Sequence, residues 1–214
     1  MRDKLYFTLT LFWIVAFSVF ATILLSIPLF ALDIHWENLS KISGFSFNIL
    51  MKNYGYLMRY LLNPFAGKLK MPDFPDSNSA LIHFSEVKNL FLLVLIICIL
   101  FAYFYWKFYK ERISFLYKNE IKIAMILPIL LTVVALLIGF DNFFIAFHKI
   151  LFRDNTWLFN PETDPIINVL TDKFFMYCFV IFGVVYEGLL GTLYLEKVRN
   201  NEQNLFVDTN HEET

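Results

Sequence analysis

Four long stretches of the chain are apolar on every face. Leu5 to Leu32, Asn89 to Trp106 and Ile123 to Phe140 hold no charged residue, and Phe174 to Leu195 holds one, Glu187. A helix needs about 20 mostly apolar residues to cross a bilayer. The runs meet or approach that length, and flanking aromatics extend the shorter two. The pattern predicts a mainly α, polytopic membrane protein. Its transmembrane helices fall at about 5–32, 89–109, 121–140 and 174–195.

The connections are unequal. Residues 33–88 and 141–173 are long, and 110–120 is short. Within the first, Phe47, Leu50, Tyr54, Leu57, Met58 and Leu61 recur at helical spacing, with Asn48, Lys52, Asn53 and Arg59 on the other side. That is an amphipathic helix suited to the membrane interface. Asn63-Pro64 ends it, and Gly67 to Ser79 reads as a loop. Ala80 to Lys88, with His83, leads straight into the second span. The other long segment opens with Asp141 to Pro165, DNFFIAFHKILFRDNTWLFNPETDP. It is too polar to cross a bilayer and too aromatic for an ordinary solvated loop. It reads as a surface segment holding His148 at the lipid boundary.

Charge sets the orientation. Arg2 and Lys4, the 107–122 stretch with Lys107, Lys110, Arg112, Lys118 and Lys122, and Lys197 and Arg199 are basic flanks. The positive-inside rule puts them in the cytoplasm, since short flanks decide and long loops count little. Both termini are then cytoplasmic, and both long segments are extracytoplasmic. Residues 1–196 form the membrane domain. Residues 197–214 are expected to be a disordered cytoplasmic tail. The first span is read as a retained helix, because its apolar core is far longer than that of a signal peptide.

Composition agrees. The apolar fraction is 58%. Exchanging Tyr for Gly gives about 56%, still above the range of soluble domains. The formal net charge of −1 and the lack of a basic run argue against a nucleic-acid partner. Cys98 and Cys178 lie inside spans and read as packing residues, not a disulfide or redox pair.

Little polar chemistry remains. His211 lies in the acidic tail, and His35, beside Trp36, reads as an interfacial residue. His148 shares a helix face with Asp141, Phe144, Leu151 and Phe152. It is either a buried, hydrogen-bonded histidine or a proton-transfer group. Asp141 is two turns away, a weak orienting candidate or a helix cap. Asp164 is an alternative orienter if its loop folds back. His83 and Glu86 share a face, as a metal pair or a hydrogen-bonded couple, but the usual zinc spacing is absent and no metal is expected. No nucleophile elbow or phosphate-cradling loop occurs in the sequence. Tyr54, Arg59 and Tyr60 suit either a lipid headgroup or an ordinary interfacial face, and Trp157 is a further candidate for substrate contact. Glu187, the intramembrane acid, reads as a structural or headgroup contact on the cytoplasmic side.

Three blocks, NYGYLMRYLLNP, FPDSNSALIHFSEVKNLF and FDNFFIAFHKILFRDNTWLFNPETDPIINVL, resemble the lipoprotein intramolecular transacylase (Lit) family of bacterial membrane enzymes. The resemblance runs from helix 1 to helix 4 and excludes the tail. It implies four spans with extracytoplasmic loops in the bacterial cell membrane. The implied substrate is a lipoprotein whose N-terminal cysteine bears a thioether-linked diacylglyceryl group. The sn-2 acyl chain moves to the α-amino group, giving a lyso-form lipoprotein without a cofactor. The family's two catalytic histidines fall at His83 and His148. One departure stands out: Leu-Pro-Glu is expected after this region's Asn168, where the chain has Leu170, Thr171, Asp172 and Lys173. It bears on the start of helix 4 and is expected to touch neither histidine.

Two other readings remain open at this level. One is a hydrolase or acyltransferase on other membrane lipids using the same histidines. The other is a non-enzymatic membrane scaffold, indifferent to His83→Ala and His148→Ala.

Overall fold

The computed structural model describes residues 2–212, with side chains through Leu195. Helices α1 (Arg2–Trp36), α2 (Leu39–Ser43), α3 (Phe47–Leu62), α4 (Asn78–Lys110), α5 (Lys118–Ile138), α6 (Phe140–Leu151) and α7 (Asp172–Glu212) follow in order. Two short 3₁₀ turns, Ile113–Tyr117 and Pro165–Asn168, precede α5 and α7. No strand occurs among the described residues. Four segments are long and apolar enough to span a membrane: α1, α4, Ile113–Ile138 and Asp172–Leu195. The chain is a multi-pass membrane protein. The tail expected to be disordered, 197–214, falls where side chains lie outside the described residues.

Long helices do more than span. At 1.5 Å per residue α4 is about 50 Å long, against a hydrocarbon core of about 30 Å. The His83 segment and the second span are therefore one continuous helix. Ser77 caps it, its hydroxyl oxygen accepting the Ala80 N–H at 3.1 Å.

Apolar burial divides between the two ends of the bundle. At the end carrying the chain terminus, Ile14, Phe108, Ile113, Ile121, Tyr186, Leu190 and Leu193 pack together. At the other end, Phe30 and Ile34 of α1 meet Leu50, Tyr54, Leu57 and Leu61 of α3, Ala80 and Phe84 of α4, and Ile166, Val169 and Phe174. Between them the helices turn apolar side chains outward; Leu136 and Leu137 are 78% and 79% exposed. Lipid replaces water as the solvent of that surface, so the exposure carries no hydrophobic penalty.

On helix α3 one expectation needs correcting, the solvent exposure of Asn53. The helix exists as read, but it is built into the core against α1 and α4. Asn53, placed on its polar side, is fully buried. Its amide donates to the Ile49 carbonyl (2.8 Å) and to Asp73 Oδ2 (2.9 Å), and its oxygen accepts the Asp73 N–H at 3.1 Å. The loop after α3 is thereby clasped to the helix. Burying that amide is tolerated because it is fully bonded.

Between α5 and α6 the backbone breaks at Gly139, with φ 83° and ψ 144°. Only glycine enters this region readily. The third span therefore ends at Ile138, two residues before its predicted limit. The chain turns there, and α6 leads His148 across the end of the bundle.

Candidate active site

His83 and His148 meet. The first comes from the second turn of α4 and the second from the last turn of α6. Their ring centroids are 6.0 Å apart, and the residues are 7% and 9% exposed. Phe152 touches both, at 4.6 Å from the His83 ring and 5.6 Å from the His148 ring. Phe159 stands edge-on to His83 at 5.5 Å. Phe144 and Trp157 flank His148 at 4.1 and 4.8 Å. The two histidines thus share an aromatic pocket, and their segments lie at the same end of the bundle.

The two rings are held differently. His148 Nδ1 lies 2.8 Å from the Phe144 carbonyl one turn earlier. A carbonyl oxygen only accepts, so Nδ1 carries the proton and Nε2 keeps a free lone pair. Burial lowers the His148 pKa, while the Phe144 bond and the charge of Asp172 pull it back up. His83 Nδ1 is buried with no hydrogen-bond partner.

A hydrogen-bonded loop closes the pocket. The Thr156 hydroxyl approaches Asp154 at 2.7 Å and Glu86 at 3.3 Å, and the Ser79 hydroxyl donates to the Thr156 carbonyl at 3.3 Å. Bonds from the Thr156 hydroxyl and N–H hold the Asp154 carboxyl below its usual range, helped by His83. Glu86 is thus a partner of the loop. No cluster of metal-binding side chains occurs among the described residues.

Other sequence candidates separate from this pocket. Asp141 is exposed in the first turn of α6, where its charge suits the helix dipole, but α6 has no side-chain cap. Asp164 orients neither histidine. It is 2% exposed, accepts the Ser77 N–H at 2.7 Å, and ties the loop before α7 to the cap of α4. Tyr54 and Tyr60 are core residues. The Ser26 hydroxyl donates to the Ile23 carbonyl at 2.6 Å, so the Tyr54 hydroxyl donates to Ser26 at 2.7 Å. The Lys88 ammonium sits 4.7 Å over the Tyr60 ring. Arg59 is exposed and lines a groove of about 370 Å³ with Ile27, Met51, Met58 and Leu62. None of the residues lining that groove belongs to the histidine pocket. His35 is exposed and stacks on Phe47 at 5.3 Å. Glu187 adjoins Tyr186 of the opposite cluster, far from the histidines. His211 lies outside the described side chains.

Sequence reading named Phe144, Phe152 and Trp157 of the aromatic walls and missed Phe159 and Asp172. The i, i+4 spacing of Phe144 and His148 was a usable signal for one wall. Nothing local points from 172 back to 148.

A family model for lipoprotein intramolecular transacylase Lit matches residues 4–175. No match is found among curated protein sequences. The chain is similar to the solved membrane-integral Lit of Bacillus cereus, with 27% identity and a TM-score of 0.76 over 94% of this chain and 98% of the other. It is also similar to forms of that enzyme with one histidine replaced by arginine or by alanine, at TM-scores of 0.71 and 0.66 and 27% and 28% identity. Those two likenesses cover 95% and 94% of this chain and 95% and 96% of the others. Four spans, a shared polar end and a family match over most of the length lead to one conclusion: the chain belongs to the lipoprotein intramolecular transacylase Lit family and is a membrane acyltransferase.

Proposed function

We propose that this protein moves the sn-2 acyl chain of a lipoprotein's S-diacylglyceryl cysteine onto the α-amino group of that cysteine, with His83 and His148 as its catalytic groups. The observation that carries the reading is the meeting of these two histidines, from separate polar segments, in one aromatic pocket.

Proton accounting explains why two are wanted. The α-ammonium loses two protons on becoming an amide N–H. One leaves for solvent and one ends on the glycerol oxygen. His148 Nε2, the free lone pair, takes the first and exposes the amine. The nitrogen attacks the ester carbonyl carbon to form a tetrahedral intermediate. Its carbon–oxygen bond to glycerol then breaks. His83 takes the second proton from nitrogen and returns it to the departing alkoxide. The product is an amide with a free sn-2 hydroxyl. Both reactants are on one molecule, so the pocket has only to fold them together. No cofactor is required. The partners are diacylated lipoproteins and the surrounding membrane lipids.

The basic flanks at the opposite end support a reading in which both termini are cytoplasmic and the histidine pocket faces outward from the bacterial cell membrane. Mass spectrometry of a reporter lipoprotein's N-terminal peptide tests the reading. The reporter is co-expressed with wild type, His83→Ala or His148→Ala in a bacterium lacking N-acylation. Wild type gives one chain on nitrogen and one on glycerol, and either variant leaves a free amine. An unchanged reporter, or acyl chains moved to water or phospholipid, rejects the intramolecular transfer.

A further inference from the structure

Trp157 is 8% exposed, and its indole nitrogen is buried without a hydrogen-bond partner. An indole N–H is a donor only. Buried donors are almost always satisfied, so this one calls for an acceptor from outside the chain. Its ring lies 4.8 Å from the His148 ring, inside the proposed reaction pocket.

Apart from His83, whose Nδ1 also lacks a partner and which the reaction above uses for proton transfer, the neighbouring donors are already occupied. His148 Nδ1–H points to Phe144. The Thr156 hydroxyl is bonded to Asp154 and Glu86, and the Ser79 hydroxyl to the Thr156 carbonyl. The loop carrying Trp157 is fixed by its own bonds, Leu158 N–H to the Asn155 carbonyl and Phe159 N–H to the Trp157 carbonyl, each 3.1 Å. A rigidly held, buried and unsatisfied N–H is the arrangement that stabilises charge developing on a carbonyl oxygen.

We propose that the Trp157 indole N–H donates to the substrate's ester carbonyl oxygen as it becomes an oxyanion, an assignment that rests on the transacylase reading above. The electron pair displaced by amine attack collects on that oxygen. It returns to carbon as the glycerol oxygen departs, so the indole proton is never transferred.

The test uses purified full-length protein and a synthetic peptide with a diacylglyceryl cysteine at its N-terminus. Trp157→Phe removes the donor. Incorporating 3-benzothienylalanine at 157 replaces N–H with sulfur and keeps the ring's shape, and a thermal melt checks folding of each variant. Single-turnover N-acylation should fall by roughly 10²–10³-fold in both, with the KM little changed. In wild type, the Trp157 indole N–H resonance, identified by its loss in Trp157→Phe, should move downfield when the peptide binds. A folded benzothienyl variant with wild-type rate overturns the assignment, as does an indole resonance that stays put while product forms. If wild type makes no amide yet the resonance moves, the transfer reading fails and the donor role stands. If neither occurs, both fail.

Discussion

His148 Nδ1 and the Phe144 carbonyl, 2.8 Å apart on one helical turn, leave Nε2 as the basic nitrogen of the ring. Burial holds the His148 pKa below 6.5. The acid limb of the single-turnover rate should therefore have its midpoint below pH 6.5. Stability follows with the same sign. Between the depressed folded pKa and 6.5 the unfolded chain binds more protons, so stability falls as pH drops through that window. A pH profile of amide formation checks the point, and a limb centred above 6.5 contradicts a buried neutral base.

Asp172 acts on the same group from α7. Its charge raises the proton affinity of His148, although the 170–173 departure was expected to touch neither histidine. Asp172→Asn should shift the acid limb further toward acid and leave the rate at pH 8 nearly unchanged. A limb that stays in place shows that the carboxylate does not act on His148.

Gly139 sets the direction of α6. A Cβ there would meet nothing within 4 Å, so the cost of Gly139→Ala is conformational and not steric. The φ of +83° makes it on the order of 1–3 kcal/mol. The melting temperature and the transfer rate should fall together, because the swing of α6 carries His148. Gly55 in α3 is the control: it has equal space and no positive φ. Gly55→Ala should hold or raise stability by up to about 1 kcal/mol.

The spans were legible because lipid demands long charge-free runs, and that demand is local. The amphipathic period of α3 was legible too, but not what covers it. Asn53 looks like a solvated residue until Asp73, twenty positions away, supplies its partner. Tyr60 looks interfacial until Lys88 closes over it. The histidines stood out through their flanking blocks, whereas the box around them comes from α4, α6 and the loop after it. Phe144 and Phe152 follow the helical period around His148, but the contacts of Phe152 and Phe159 with His83 are long-range, and no period in the chain encodes them.

Asp164 shows what one such contact is worth. Its carboxylate receives the Ser77 N–H at 2.7 Å and the Thr163 hydroxyl at 2.8 Å while 2% exposed. Asp164→Ala leaves a half-buried backbone N–H unpaired at the start of α4. A loss of about 1.5–3 kcal/mol is expected. Limited proteolysis should cut faster within 152–171, and transfer should weaken as His83 loosens. The acid limb should not move. A shifted limb restores Asp164 as an orienter of His148.

Asp76 sits beside that clamp and works against it. Burial, reinforced by the charge of Asp164, raises its pKa from 3.8 to about 6, although a backbone bond at Met71 pulls the other way. One carboxyl oxygen is buried without a partner. Between pH 4 and 6 the folded chain therefore binds more protons than the unfolded chain, and stability falls as the pH rises through this window. Asp76→Asn carries no such penalty. It should stabilise the protein at pH 7 by about 1 kcal/mol, less than the full shift implies because the side chain is half solvated. The gain should fade as the pH drops through 6 and vanish near 4. Thermal melts of wild type and variant across that range decide it. An equal gain at every pH would mean that amide packing, and not relief of a buried charge, stabilises the variant.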